Sequence, residues 1–119
     1  MPPVNIQRGE VWSVRFDPSE GDEIRKIRPA IVMTAVTAGQ IVLHIVVPVT
    51  GWQPSFIRYP FIIQLIPSVA NGLTKESGAN AFQVKSIALS RFQSKPGILS
   101  VDEVDEIAAA IALCVGYQP

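Results

Sequence analysis

The chain has 119 residues, with one histidine and one cysteine among them. A single histidine excludes a two-histidine ribonuclease arrangement within one chain. His44 also falls mid-strand in an apolar run, where a core or subunit-contact ring is the first reading and a catalytic one the second. A single cysteine excludes an internal disulfide and offers no metal-ligand cluster; Cys114 stands among Ala and Val on an expected helix, as a buried inert thiol. No apolar run reaches the roughly 18 to 20 residues that span a bilayer. The start, MPPVNIQRGE, lacks a basic region followed by an apolar stretch, so neither a membrane span nor a signal peptide is expected and the default location is the cytoplasm. There is no GxxxxGK[ST] phosphate loop, no credible Ser-His-Asp setting and no set of His, Cys and carboxylates at metal-site spacing. By elimination metal-free chemistry is favoured, and no cofactor is expected.

What is present is apolar. Hydrophobic residues make up 48% of the chain and charged ones 17%, which rules out disorder and gives enough material for the core of one domain over residues 1–119. The net charge is zero, which argues against a protein that coats nucleic acid by bulk attraction. The distribution is uneven, however. Asp102, Glu103, Asp105 and Glu106 cluster near the C-terminus, so residues 1–100 carry ten basic groups against six acidic ones, and a local positive surface is possible.

The periodicity predicts a mainly β chain with one helix at its end. Glu10 to Phe16 alternates as a half-buried strand, with Val11, Ser13 and Arg15 on one side and Trp12, Val14 and Phe16 on the other. Asp17-Pro18 ends it. Ala30 to Thr34 is a second strand. Ile41 to Val49, apolar on both faces, is a central third with Pro48 near its end or at a bulge, and Thr50 lies just beyond it. Gly51 to Tyr59 reads as a loop, Pro60 to Ile66 as a strand, Asn71-Gly72 as a hairpin turn and Leu73 to Ala81 as a short strand with a loop or helical turn. Phe82 to Leu89 alternates as a last long strand, and Ser90 to Ile98 reads as a 3₁₀ turn and a loop broken at Pro96-Gly97. Ser100 and Glu103 form a capping box for a helix whose apolar stripe is Val101, Val104, Ile107, Ala108, Ile111, Ala112 and Val115, with Gly116 placed to end it.

Between the first two strands lies the stretch with most chemical potential. Glu20, Asp22, Glu23, Arg25, Lys26 and Arg28 put six charges into nine positions around Gly21. Such loops are most often merely solvated. Arg28, at the mouth of a strand, has a planar fork suited to two phosphate oxygens, and Thr50 at another strand end could add a neutral hydroxyl donor. In the following loop Trp52, Phe56 and Tyr59 interleave with Arg58, which suits stacking on unpaired bases, a loop cover or a subunit contact equally.

Particular words tip the balance. RGEVW, FDP, the Gly-x-Glu of Gly21 to Glu23, Arg28-Pro29, VPVT, YPF and QVKSI occur in order across nearly the whole chain. Together they resemble the MazF/PemK family of toxin endoribonucleases. That resemblance implies an SH3-like antiparallel β-barrel of the CcdB/MazF/PemK type with a C-terminal α-helix, a homodimer, single-stranded RNA as substrate and inhibition by an antitoxin with an acidic tail. It also implies catalytic roles for Arg28, Thr50 and Glu23. RNA contacts are expected at Arg25, Lys26, Trp52, Gln53, Phe56, Arg58 and Lys85. Ile24 stands where the family keeps Gln, Arg25-Lys26 replaces small residues, and Arg15 stands where aspartate is common, a change with no physical account. Two rivals remain: a non-catalytic CcdB-like gyrase poison working through its C-terminal helix end, and an SH3-like RNA-binding module that does not cut.

Overall fold

Apolar alternation on both faces of the central strands gives two cores among the described residues. The computed structural model describes residues 5–16, 21, 26–36 and 43–118. Among these, seven strands are present: β1 (Glu10–Arg15), β2 (Ile27–Val32), β3 (Leu43–Gly51), β4 (Ile62–Leu65), β5 (Ser77–Asn80), β6 (Lys85–Ala88) and β7 (Phe92–Ile98), followed by helix α1 (Val101–Cys114). All pairings are antiparallel, in the order β4-β5-β3-β2-β1-β7, with β6 also on β3. The mainly β architecture with a C-terminal helix is the one the resemblance implies.

Val11, Ile31, Val47 and Val49 share one face and pack with Leu65, Val104 and Ile107. Trp12, Val14, Ala30, Val32 and Val46 share the other and pack with Phe16, Ile87 and Phe92. The first strand is therefore covered on both faces, not half-buried as its alternation suggests, because β2 and β7 flank it and each face meets a core of its own.

β3 is the hub. Leu43 to Val46 pair with β6, Val46 to Pro48 with β2 and Val49 to Gly51 with β5. Pro48 is inside the strand rather than at its end, at the point where β3 exchanges β6 for β5, so the missing N–H falls where the ladder is already changing partners. Thr50 and Gly51 belong to the same strand.

Two further expectations are corrected. The loop read at Ser90 to Ile98 is largely strand β7, preceded by a 3₁₀ turn at Leu89–Arg91. Its Pro96-Gly97 is accommodated because β7 lies at the edge and pairs with β1 through register shifts. The strand read at Phe82 to Leu89 shrinks to β6, because Asn80 accepts a hydrogen bond from Phe82 N through its side chain and winds Ala81–Gln83 into a 3₁₀ turn. In α1 the capping box forms, with Glu103 N donating to Ser100 Oγ at 3.2 Å and Ser100 N to Glu103 Oε1 at 3.0 Å. Val104, Ile107 and Ala110 are buried, while Val101 and Val115, the outermost members of the expected stripe, are exposed.

Residues 66–76 connect β4 to β5 and lie against β7. Asn71, almost fully buried, ties this loop together: Oδ1 accepts from Ser68 N and Leu73 N, and Nδ2 donates to the Ile66 carbonyl. Ile98 N donates to the Ala70 carbonyl at 2.9 Å, joining the loop to β7. Gly72, at φ 68°, runs so near Pro96 that a Cβ would collide with its carbonyl. The loop thus fills the gap between the two edges of the sheet and carries its far end, Thr74 to Glu76, back toward the end of β3.

Candidate active site

The approach to the site is set by the end of the charged loop. Lys26 takes a left-handed backbone, φ 64°, and its carbonyl accepts from Phe16 N at 2.9 Å. β2 begins immediately after, with Arg28 opposite Val14 on β1. Glu23 and Arg25, expected as a catalytic and an RNA-contacting residue, lie outside the described residues.

The β2–β3 ladder includes Ala30 opposite Pro48. Beyond that pair β3 turns to β5, with Thr50 opposite Gly78. Arg28 and Thr50 each lie two positions outward from the Ala30–Pro48 pair and, by strand alternation, on its face. They flank the opening where β2 and β3 part.

Two clefts meet there. One, of about 250 Å³, has walls that include Ile27, Pro29, Val49, Leu73 and Pro96. The other, of about 780 Å³, is bordered by Trp52, Gln53, Phe56, Glu76, Asn80 and Gln83. Arg28, Thr50, Gly51 and Lys75 line both. The two residues paired in the sequence by resemblance therefore stand together on the ridge between the clefts.

Of the expected RNA contacts, Trp52, Gln53 and Phe56 border the larger cleft. Trp52 and Phe56 meet edge to face at 5.5 Å, and Trp52 N donates to the Glu76 carbonyl at 2.9 Å, which fixes the start of the loop. Arg58 ends the 3₁₀ turn Pro54–Arg58 and is exposed, but lines neither cleft. Lys85 is not brought to them either: it pairs with Val46 on β3 and its ammonium lies 5.7 Å from the centre of the Phe16 ring. Lys26 also lines neither.

Sequence reasoning missed Lys75, Glu76, Asn80 and Gln83. All four lie in or next to a stretch read only as small and polar, or inside the supposed long strand. The available signal was Lys75-Glu76, a charged pair directly before a strand. Glu76 Oε2 accepts from Gln64 Nε2 at 2.8 Å. Among the described residues no carboxylate pairs with Arg28 or Lys75. The ridge thus carries two cations whose countercharge is not supplied by those residues, beside a hydroxyl and an aromatic pair. That arrangement suits a polyanion with exposed rings. No group of three or more His, Cys, Asp or Glu converges among the described residues.

A second polar cluster lies elsewhere. Glu10, 6% exposed, accepts from Gln7 N at 2.8 Å, Trp12 Nε1 at 3.0 Å and Lys95 Nζ at 3.1 Å. Burial pushes its pKa up, but these three donors together outweigh it and the net shift is downward. His44, half-buried, has Nδ1 3.0 Å from Thr34 Oγ1 and its ring edge to face with Phe92. Burial lowers its pKa, against an opposing pull from the Glu10 charge. Cys114 is half-buried on α1, and burial raises its thiol pKa.

Comparison with known proteins fits this geometry. The chain is 35% identical over 115 residues to Endoribonuclease MazF9 of Mycobacterium tuberculosis, covering 91% of this chain and 94% of that protein. In fold it is similar to the crystal structure of MazF from Deinococcus radiodurans, with a TM-score of 0.74, 23% identity and 98% of each chain covered. It is likewise similar to a mycobacterial endoribonuclease solved in complex with its cognate antitoxin, with a TM-score of 0.69, 16% identity and coverage of 97% of this chain and 99% of that one. Residues 7–115 match the family of PemK-like, MazF-like toxins of type II toxin-antitoxin systems, and the chain belongs to that family.

Proposed function

We propose that this chain, acting as one toxin domain in the cytoplasm, is an endoribonuclease that cuts single-stranded RNA without a metal ion. The observation that carries this reading is the joint position of Arg28 and Thr50 on the ridge shared by the two clefts. In the reaction the substrate supplies its own nucleophile. The 2′-oxygen attacks the adjacent phosphorus, the P–O5′ bond breaks, the 2′-proton is removed and the departing 5′-oxygen takes up a proton. The products are a cyclic phosphate and a 5′-hydroxyl.

Arg28 serves this step by holding two phosphate oxygens as charge accumulates on five-coordinate phosphorus, and its fork stays cationic throughout. Thr50 donates a neutral hydrogen bond to the same phosphate from a position fixed by the β3–β5 ladder. Glu23 orients the arginine or assists proton transfer. Trp52 and Phe56 receive an unpaired base, and the amides of Gln53, Asn80 and Gln83 read its edge. Lys26, Arg58 and Lys85 contact RNA outside the two clefts, and Arg25 contacts it as well.

The protein works as a homodimer and is neutralised by an antitoxin, a partner type present in the solved complex of the mycobacterial endoribonuclease. An acidic tail laid over Arg28 and Lys75 would occupy the place of RNA phosphates. The test is cleavage of single-stranded RNA by purified protein in EDTA, with the new ends analysed. Cyclic-phosphate and 5′-hydroxyl ends are expected; a requirement for divalent metal, or 3′-hydroxyl and 5′-phosphate ends, would overturn the mechanism.

A further inference from the structure

The outward loop that seals the sheet ends at the ridge, and its last cation is placed there with some care. Residues 66–76 are anchored by buried Asn71 and by the Ile98–Ala70 hydrogen bond, and the next residue, Ser77, starts β5 in register with Gly51. Ser77 Oγ donates to the Lys75 carbonyl at 2.8 Å, which fixes the backbone that carries the lysine. From there the Lys75 side chain folds over Gly51: a Cβ at that glycine would lie 3.1 Å from Nζ and 3.2 Å from Cε. The ammonium is thus held against β3 one residue beyond Thr50. It reaches this place because position 51 has no side chain. Glu76, the adjacent carboxylate, is engaged by Gln64 instead, and no carboxylate among the described residues pairs with Lys75.

We propose that Lys75 is a phosphate-binding residue of the RNA path, holding a backbone phosphate beside the one gripped by Arg28 and Thr50, and that Gly51 is the gap that lets it do so. The proposal rests on the nuclease reading above. A single strand crossing from the larger cleft to the smaller must pass Arg28, Thr50, Gly51 and Lys75, the four residues common to both. Both cations line the same passage and both are available to a polyanion that crosses the ridge. Lys75 is a point charge on a flexible stem, suited to gripping a phosphate that is not reacting, whereas the fork of Arg28 suits the one that is.

The experiment uses an oligoribonucleotide that the wild-type protein has been shown to cut, remade with 2′-O-methyl groups so that it binds but cannot react. Its affinity is measured against salt concentration for wild type, Lys75→Met, Lys75→Arg, Gly51→Ala and the Gly51→Ala, Lys75→Met double variant. Removing one phosphate contact lowers the log–log salt slope by about 0.7 on a single strand. Lys75→Met should show that drop and a roughly tenfold loss of affinity at low salt; Lys75→Arg should restore most of it. Gly51→Ala, which meets only the far end of a flexible side chain, should weaken binding in part and add little once Lys75 is gone, since the two act through one contact. An unchanged slope in Lys75→Met, with wild-type protein that cuts, overturns the proposal. So does a Gly51→Ala effect that adds in full to that of Lys75→Met. Failure of the wild-type protein to cut any RNA overturns the nuclease reading itself, and this proposal with it.

Discussion

Two charged clusters in this small protein are built on opposite principles. At Glu10 a carboxylate is almost wholly buried and meets three donors of its own chain, including Lys95 from the neighbouring edge strand. At the ridge, Arg28 and Lys75 stand exposed and without a described carboxylate partner, at the mouth of two clefts. The first cluster is internally complete, so its contribution is to the fold. The second is complete only when something anionic arrives. Charge alone does not distinguish the two; satisfaction does.

The sharpest way to test that contrast is to remove one member from each cluster. Arg28→Ala should lower the rate of RNA cleavage by about 10²-fold or more, the range seen when a donor to developing charge is removed. Because Arg28 is exposed, unfolding free energy should shift by no more than about 0.5 kcal/mol. Single-turnover cleavage together with a urea melt reads both. Parental cleavage by Arg28→Ala would remove the ridge as the reaction centre.

Glu10→Ala should do the reverse. It strands the Trp12 indole N–H in a buried place and takes the acceptor from the part-buried Gln7 amide, at about 1–3 kcal/mol. Cleavage by the fraction that stays folded should be unchanged. A stable Glu10→Ala protein that no longer cuts would show that the two clusters are not separate after all.

The contrast also explains what could be read before the fold was known. β1, the centre of β3 and the capped helix follow from patterns within a few residues, and all three are present at nearly the expected places. Arg28 and Thr50 stand next to such patterns, at Arg28-Pro29 and after VPV, but it was the family resemblance that paired them. Lys75 was not legible in this way. Its position depends on how loop 66–76 crosses from β4 to β7 and on the absence of a side chain at Gly51, both properties of distant residues. β7 was lost for a similar reason: Pro96-Gly97 signals a break locally, and only an edge position with register shifts makes it a strand. Lys85, a lysine in a familiar word, lies near the Phe16 ring and lines neither cleft, a placement set by its pairing with Val46 that the word itself does not reveal.

Acid should act on the complete cluster first. The pKa of His44 is lowered from its ordinary 6.5 by burial, so the folded protein resists protonating it. The Thr34 hydroxyl, which accepts from Ile45 N, has its own proton to give to Nδ1, in keeping with a neutral ring. The stability this group contributes is present above pH 6.5 and is lost as pH falls through its lowered folded value. Glu10, lowered from 4.5, has the same sign further down: its contribution is present above that value and fades as the carboxylate is protonated. Urea melts between pH 8 and pH 3 should therefore show stability declining in two stages on acidification, with the upper stage absent in His44→Gln. Stability that rises on acidification would contradict both assignments.

The smallest effect is expected at the end of the chain, and it separates the nuclease from the gyrase-poison alternative. Gly116, at φ 76°, and Tyr117, whose N–H donates to the Ala112 carbonyl at 2.9 Å, terminate α1. Tyr117 and Val115 are largely exposed and no cleft residue follows Pro96 in the sequence. Deleting residues 116–119 removes two closing hydrogen bonds at an already fraying end and should cost about 1 kcal/mol or less. RNA cleavage should be unchanged, because none of residues 116–118 lines either cleft. Loss of toxicity on this deletion, with cleavage by the purified protein intact, would mean that the helix end meets a target of its own.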